Sequence, residues 1–240
     1  MGCCPHPNAL YRGDPCVHGF RDETKDIPLL IGSVFGEFQS FTPAPIDRER
    51  MSETEQRTAL EGMLGKEGAD ELIPLFRAAY PERALVDLMR LDFIFRAPEI
   101  EYLALRSRLN DDTWSYFFNM DQPIDDGGST PWHCCDIPYV FRNIDLVEYP
   151  HGPQQDEGLS ERVQEQVFES VMAFARSGDP NNAAIPFRPA SAEGHERTLL
   201  IDANTRLVEN HDHALIAADA RIMGPVLARM MQALQENAQH

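Results

Sequence analysis

Three short, largely uncharged runs constrain the fold of this chain more than anything else in it. Ile27-Pro28-Leu29-Leu30-Ile31-Gly32-Ser33 is apolar and closes on glycine. Thr113-Trp114-Ser115-Tyr116-Phe117-Phe118-Asn119 is aromatic, and Thr198-Leu199-Leu200-Ile201-Asp202 is aliphatic. Runs this short and this continuous fit strands buried on both faces, as in a parallel sheet. The rest reads as helix and loop. Ser52 and Glu55 form a capping box that opens a helix with Leu60, Met63 and Leu64 on one face. A second helix spans 69–79, with Leu72, Ile73 and Phe76 inward, and a third starts at Pro81. Residues 92–109 read as helix interrupted near Pro98, 158–177 as a long amphipathic helix stopped by Gly178 and Pro180, and 213–236 as a final helix. Helices are plentiful and strands few, and two of the three strands have enough β character to be central. A parallel sheet needs neighbours and two covered faces, so part of a sheet is expected to lie outside the chain. Residues 1–26, rich in Pro, Gly, Cys and His, read as an irregular N-terminal segment, and 27–240 as the body.

Bulk properties remove several functional classes. The chain has 240 residues, 21 Lys+Arg against 39 Asp+Glu, and a net charge of −18. So acidic a surface repels phosphate backbones and anionic lipid, which argues against nucleic acid and membrane as partners. No run of apolar residues is long enough to cross a bilayer. Met1-Gly2-Cys3-Cys4-Pro5 lacks a signal-peptide pattern, although in a C-terminal portion of a longer protein that says nothing of export. The five cysteines, Cys3, Cys4, Cys16, Cys134 and Cys135, are odd in number and favour a reducing, cytoplasmic setting over a disulfide framework.

Two residues stand where chemistry gathers in open α/β sheets, just past strand ends. Glu37 follows the first run in Ile27-Pro28-Leu29-Leu30-Ile31-Gly32-Ser33-Val34-Phe35-Gly36-Glu37. His133 follows the second, delivered by the loop at 125–131, in Trp132-His133-Cys134-Cys135-Asp136-Ile137-Pro138-Tyr139-Val140-Phe141. Alone, each is an ordinary residue. Together with Asp92-Phe93-Ile94-Phe95-Arg96-Ala97-Pro98, Tyr116-Phe117-Phe118 and Phe174-Ala175-Arg176-Ser177-Gly178-Asp179-Pro180-Asn181, their order and spacing resemble the type B carboxylesterases, which include the cholinesterases. The resemblance runs over residues 14–236.

It implies an α/β fold, the C-terminal part of an α/β-hydrolase sheet with a helical insertion at 52–110. It also implies a serine esterase working through an acyl-enzyme on small-molecule esters, without cofactor or metal. Glu37 matches the acid and His133 the base of a Ser–Glu–His triad, in the chain order of α/β hydrolases. Phe38, Phe41 and Trp132 are the candidate pocket residues, and Trp132 reads equally as an aromatic packed under the loop. The nucleophile motif G-x-S-x-G occurs nowhere in the 240 residues, nor does a glycine-rich oxyanion loop. The chain alone is therefore expected to be inactive, its serine supplied by a preceding portion or a separate N-terminal esterase chain. Otherwise it is a catalytically silent, cholinesterase-like binding protein, although keeping both Glu37 and His133 argues against that. The first strand should present an unpaired edge and invite self-association. Phe38 stands where the family has glycine, and Cys134 and Cys135 where it has small residues. Cys3, Cys4, His6, Cys16 and His18 fit no zinc spacing. Cys134 adjoins His133 too closely to be its nucleophile. His211 and His213 read as polar decoration at the start of the last helix.

Overall fold

The computed structural model describes residues 6–37, 48, 50–122, 129–147 and 158–237, with the backbone alone for 226 and 228–237. The three expected strands form as β1 (Leu29–Val34), β2 (Thr113–Phe118) and β3 (Arg197–Ile201), all parallel. A fourth, β4 (Arg206–Glu209), which the sequence reading did not separate from loop, turns back antiparallel on β3. The order is β1-β2-β3-β4, so β2 is central while β1 is an edge. Gly32 pairs with Tyr116, and a Cβ on Gly32 would lie 2.4 Å from the Tyr116 carbonyl oxygen. Only glycine lets the two strands approach with the tyrosine ring lying across them.

Alternation along the strands divides the core into two layers. Phe35, Phe117 and Leu200 point to one face, where they meet α2 (Glu53–Ala79) and α6 (His213–Asn237) through Leu72, Phe76, Leu215 and Ile216. Val34, Phe118, Leu199 and Ile201 point to the other, against Val163 and Val167 of α5 (Leu159–Ser177). This is the two-sided burial expected of a parallel sheet.

The helices follow local signals closely. The Ser52–Glu55 capping box forms, and the helix it was expected to open and the helix expected at 69–79 run together as α2, broken at Gly65. Helix α5 stops at Gly178, which takes a left-handed φ of 78° and rests against Pro28. The helix expected from Pro81 is instead a six-residue 3-10 turn, Leu85–Arg90. Its buried Asp87 binds the distant Arg48 at 2.9 Å and the nearby Arg83 at 3.2 Å, so one tertiary and one local ion pair hold the turn. The stretch 92–109 is helical only at Arg96–Arg106 (α3), where Pro98 sits in the first turn and interrupts nothing. The N-terminal segment carries a one-turn helix, Pro15–His18 (α1), and a 3-10 turn, Asp22–Thr24. It is tied down from α3: the Arg106 guanidinium donates to the Thr24 carbonyl at 2.6 Å, and Asn110 donates to the Lys25 and Ile27 carbonyls. These bonds fix where the chain enters β1. No described helix is long and apolar enough to cross a membrane.

Candidate active site

Glu37 and His133, 96 residues apart in sequence, meet because the chain just past β1 forms an isolated bridge with the loop that follows β2. Gly36 bridges Trp132 in parallel register, so the next residues on each side fall together. The Glu37 carboxylate divides its two oxygens. Oε1 accepts the Val34 backbone N–H at 3.1 Å, which orients the group, and Oε2 lies 2.5 Å from His133 Nδ1. Glu37 is buried, whereas the imidazole is 44% exposed. In the tautomer with its proton on Nδ1, the imidazole donates to the carboxylate and Nε2 is its acceptor nitrogen.

Several further groups hold the imidazole. Phe95 stacks beside it with its plane nearly parallel, ring centroids 6.4 Å apart at 11°. Phe95 is itself placed by Asp92, whose carboxylate accepts from the backbone N–H groups of Phe95 (2.9 Å) and Arg96 (3.1 Å) at the start of α3. Burial raises the Asp92 carboxyl against the lowering effect of those bonds. The turn after His133 is pinned from below, where the Tyr116 hydroxyl donates to Asp136 at 3.3 Å. Burial, then the Asp136 carboxylate, pushes that phenol well up. Cys134 takes a left-handed φ of 67°, a backbone state that favours small residues, and Cys135 is buried in the α5-side core.

Beside the pair lies a cavity of about 330 Å³ lined by Ser33, Glu37, Phe95, Glu99, Tyr102 and His133, among others. Its polar end is Glu99, which is buried and accepts the Ser33 hydroxyl at 2.6 Å. Burial pushes the Glu99 carboxyl up to about 7, against the opposing pull of Arg96. Arg96 is fully buried, with two hydrogen bonds to Asp212 (2.8 and 2.9 Å) and one to Glu196 (2.8 Å). His213 reaches Glu196 at 2.6 Å, and the adjacent His211 is buried between Tyr80 and Phe117. Of the two histidines read as helix decoration, His213 at the start of α6 thus meets the ionic cluster through Glu196, and His211 packs against aromatic rings.

Of the residues singled out from sequence, Glu37 and His133 are brought into direct contact. Trp132 pairs its backbone with Gly36 and packs on the α5-side core, away from the cavity lining. Phe38 and Phe41 lie outside the described residues, as do Cys3 and Cys4. Among the described residues no cluster of three or more His, Cys, Asp or Glu has metal-ligand geometry. Sequence reasoning missed Phe95, Glu99 and the Tyr116–Asp136 bond. Asp92, four residues before Arg96 at a helix start, was the available signal for the first.

Relatives were found by sequence and by fold. Phenmedipham hydrolase of Pseudarthrobacter oxydans is 30% identical over 76 residues, 31% of this chain and 15% of that protein. An esterase from anaerobic Clostridium hathewayi, described as hydrolysing aliphatic aromatic polyesters, superimposes with a TM-score of 0.82 at 34% identity, over 92% of this chain and 42% of its own. A carboxylesterase of Geobacillus stearothermophilus superimposes with a TM-score of 0.52 at 19% identity, over 82% of this chain and 40% of its own, a likeness of fold. The chain thus spans less than half the length of these structures. The profile of the carboxylesterase family matches residues 14–217, and the chain belongs to that family.

Proposed function

We propose that the chain takes part in the hydrolysis of small-molecule carboxylic esters, supplying the acid and base of a Ser–Glu–His triad. The 2.5 Å contact between Glu37 Oε2 and His133 Nδ1 carries this reading, because it orients the imidazole with Nε2 as base. The nucleophile is a serine on polypeptide beyond these 240 residues, which contain no G-x-S-x-G. It belongs either to a preceding portion of the same protein or to a separate esterase chain. Nε2 takes the serine proton as the hydroxyl attacks the ester carbonyl, then returns it to the departing alcohol. The same nitrogen activates the water that releases the acid from the acyl-enzyme. Throughout, the Glu37 carboxylate stabilises the imidazolium without taking its proton.

The test is intact-mass spectrometry of the native preparation after exposure to a fluorophosphonate, which labels activated serines. Supporting the proposal, the adduct sits on a serine of a longer or co-purifying chain, and labelling slows at least about a hundredfold in His133→Ala, as expected for loss of a general base. A lone 27.1 kDa species without adduct, and without esterase activity, rejects it.

A further inference from the structure

We infer that Glu99 is a positioning residue for the acid–base pair: through Ser33 it holds the peptide group that orients Glu37, and through Arg96 it holds the start of α3 that flanks His133. The inference deepens the reading of the preceding subsection and rests on it for what the pair does. Both carboxyl oxygens of Glu99 are engaged. Oε2 accepts the Ser33 hydroxyl at 2.6 Å, and Oε1 faces Arg96 Nη1 at 3.2 Å, an electrostatic contact without hydrogen-bond geometry. Ser33, Glu99 and Arg96 are all buried.

The first arm runs to the acid. Ser33 and Val34 share a peptide group, and its N–H is the donor to Glu37 Oε1 at 3.1 Å. A bond on the Ser33 side chain therefore acts beside the group that sets the tilt of the Glu37 carboxylate. The other oxygen of that carboxylate meets His133 Nδ1 at 2.5 Å. The second arm runs to the base. Arg96 is fixed by hydrogen bonds to Asp212 (2.8 and 2.9 Å) and Glu196 (2.8 Å). Its backbone N–H and that of Phe95 donate to the same oxygen of Asp92, and the Phe95 ring stacks beside the imidazole. Glu99 stands three residues after Arg96, one helical turn along α3, and spans from this anchored residue to β1.

Two features separate Glu99 from ordinary packing. It lines the same cavity as Glu37 and His133, with Ser33 and Phe95 beside it. A carboxyl there costs free energy, since burial pushes it up to about 7. A leucine would fill the space without that cost, but would supply no directional bond to Ser33. A strongly perturbed carboxyl in a cleft is the mark of a functional group. Because its oxygens are already engaged, Glu99 acts through Ser33 and Arg96 and not on a reacting atom.

The experiment is long-range proton–nitrogen correlation NMR on the full chain with isotope-labelled histidine, which reads the tautomer of each neutral imidazole. The His133 resonances are assigned by their loss in His133→Gln. In the parent above about pH 8, where the ring is neutral, His133 carries its proton on Nδ1, facing Glu37. Ser33→Ala and Glu99→Ala cut the same bond from opposite ends. In each, the ratio of Nδ1–H to Nε2–H tautomer at His133 falls at least about threefold, as expected for one weakened hydrogen bond. Glu99→Gln, able to donate to the Ser33 oxygen and to accept from Arg96, keeps the parent ratio. Ser33→Ala leaves every buried charge in place and carries the test by itself if Glu99→Ala does not fold. A parent-like ratio in Ser33→Ala overturns the positioning and spares the esterase reading. So does a ratio in Glu99→Gln that falls as far as in Glu99→Ala. A parent chain whose His133 carries its proton on Nε2 overturns the acid–base reading itself, and the positioning with it.

Discussion

Replacing Glu99 by glutamine should stabilise the protein, and only above about pH 5. The Glu99 carboxyl is buried beside the Ser33 hydroxyl, and burial lifts it from 4.5 to about 7. Between those values the unfolded chain has released the proton while the folded chain still holds it. Folding then binds a proton, so stability falls as pH rises through this window and levels off above pH 7. A shift of this size corresponds to roughly 3 kcal/mol at full ionisation, an upper bound because local relaxation reduces it. Glutamine never ionises, keeps the volume, and can donate to the Ser33 oxygen while turning its carbonyl to Arg96 Nη1, now 3.2 Å from Glu99 Oε1. Urea unfolding of both proteins from pH 4 to pH 8 measures the difference. The variant should match the parent near pH 4 and exceed it by about 1–3 kcal/mol at pH 8. A variant less stable than the parent at pH 8, or a difference that does not change with pH, would refute the assignment of Glu99 as a carboxyl held neutral by burial.

Two further changes probe the frame around the site. Arg96→Met leaves Asp212 and Glu196 buried without the cation that forms three hydrogen bonds with them, so unfolding in urea at pH 7 should show a loss of about 3–5 kcal/mol. A loss below about 1 kcal/mol would mean that the cluster relaxes or hydrates freely. At Cys134, with its φ of 67°, glycine should be neutral or stabilising by up to about 1 kcal/mol, and valine destabilising by about 1–2 kcal/mol. Thermal unfolding that ranks valine above glycine would show that the left-handed turn is not retained in solution.

Helix ends were legible in the sequence because capping is local. The Ser52 capping box and the Gly178 stop each depend on residues within a turn of one another, and both formed as read. The three parallel strands were legible for a similar reason, since burial on both faces leaves a continuous apolar run. Strand β4 escaped because Arg-Leu-Val-Glu is short, ends in charge and is stabilised by its neighbour β3, not by its own composition. The 3-10 turn at Leu85–Arg90 escaped because its Asp87 is held in part by Arg48, 39 residues away, besides the nearby Arg83.

Within the candidate site, residue types and their place past strand ends singled out Glu37 and His133. Their 2.5 Å contact is a tertiary outcome, since only the parallel register that sets Gly36 against Trp132 carries two residues 96 positions apart into hydrogen-bond range. The same holds for what surrounds them. Nothing local distinguishes Glu99 from an exposed glutamate, or His211 from a polar helix-start histidine. Both owe their character to burial, a property conferred by elements packed from elsewhere in the chain. The sequence by itself determined the three parallel strands, most of the helices, their order, and the glutamate and histidine that follow the strands, because those follow from short-range patterning. Tertiary structure alone decided which groups lost their water, which residues met across the sheet and which carboxyl was pushed up by burial, because desolvation depends on what the whole fold brings to a point.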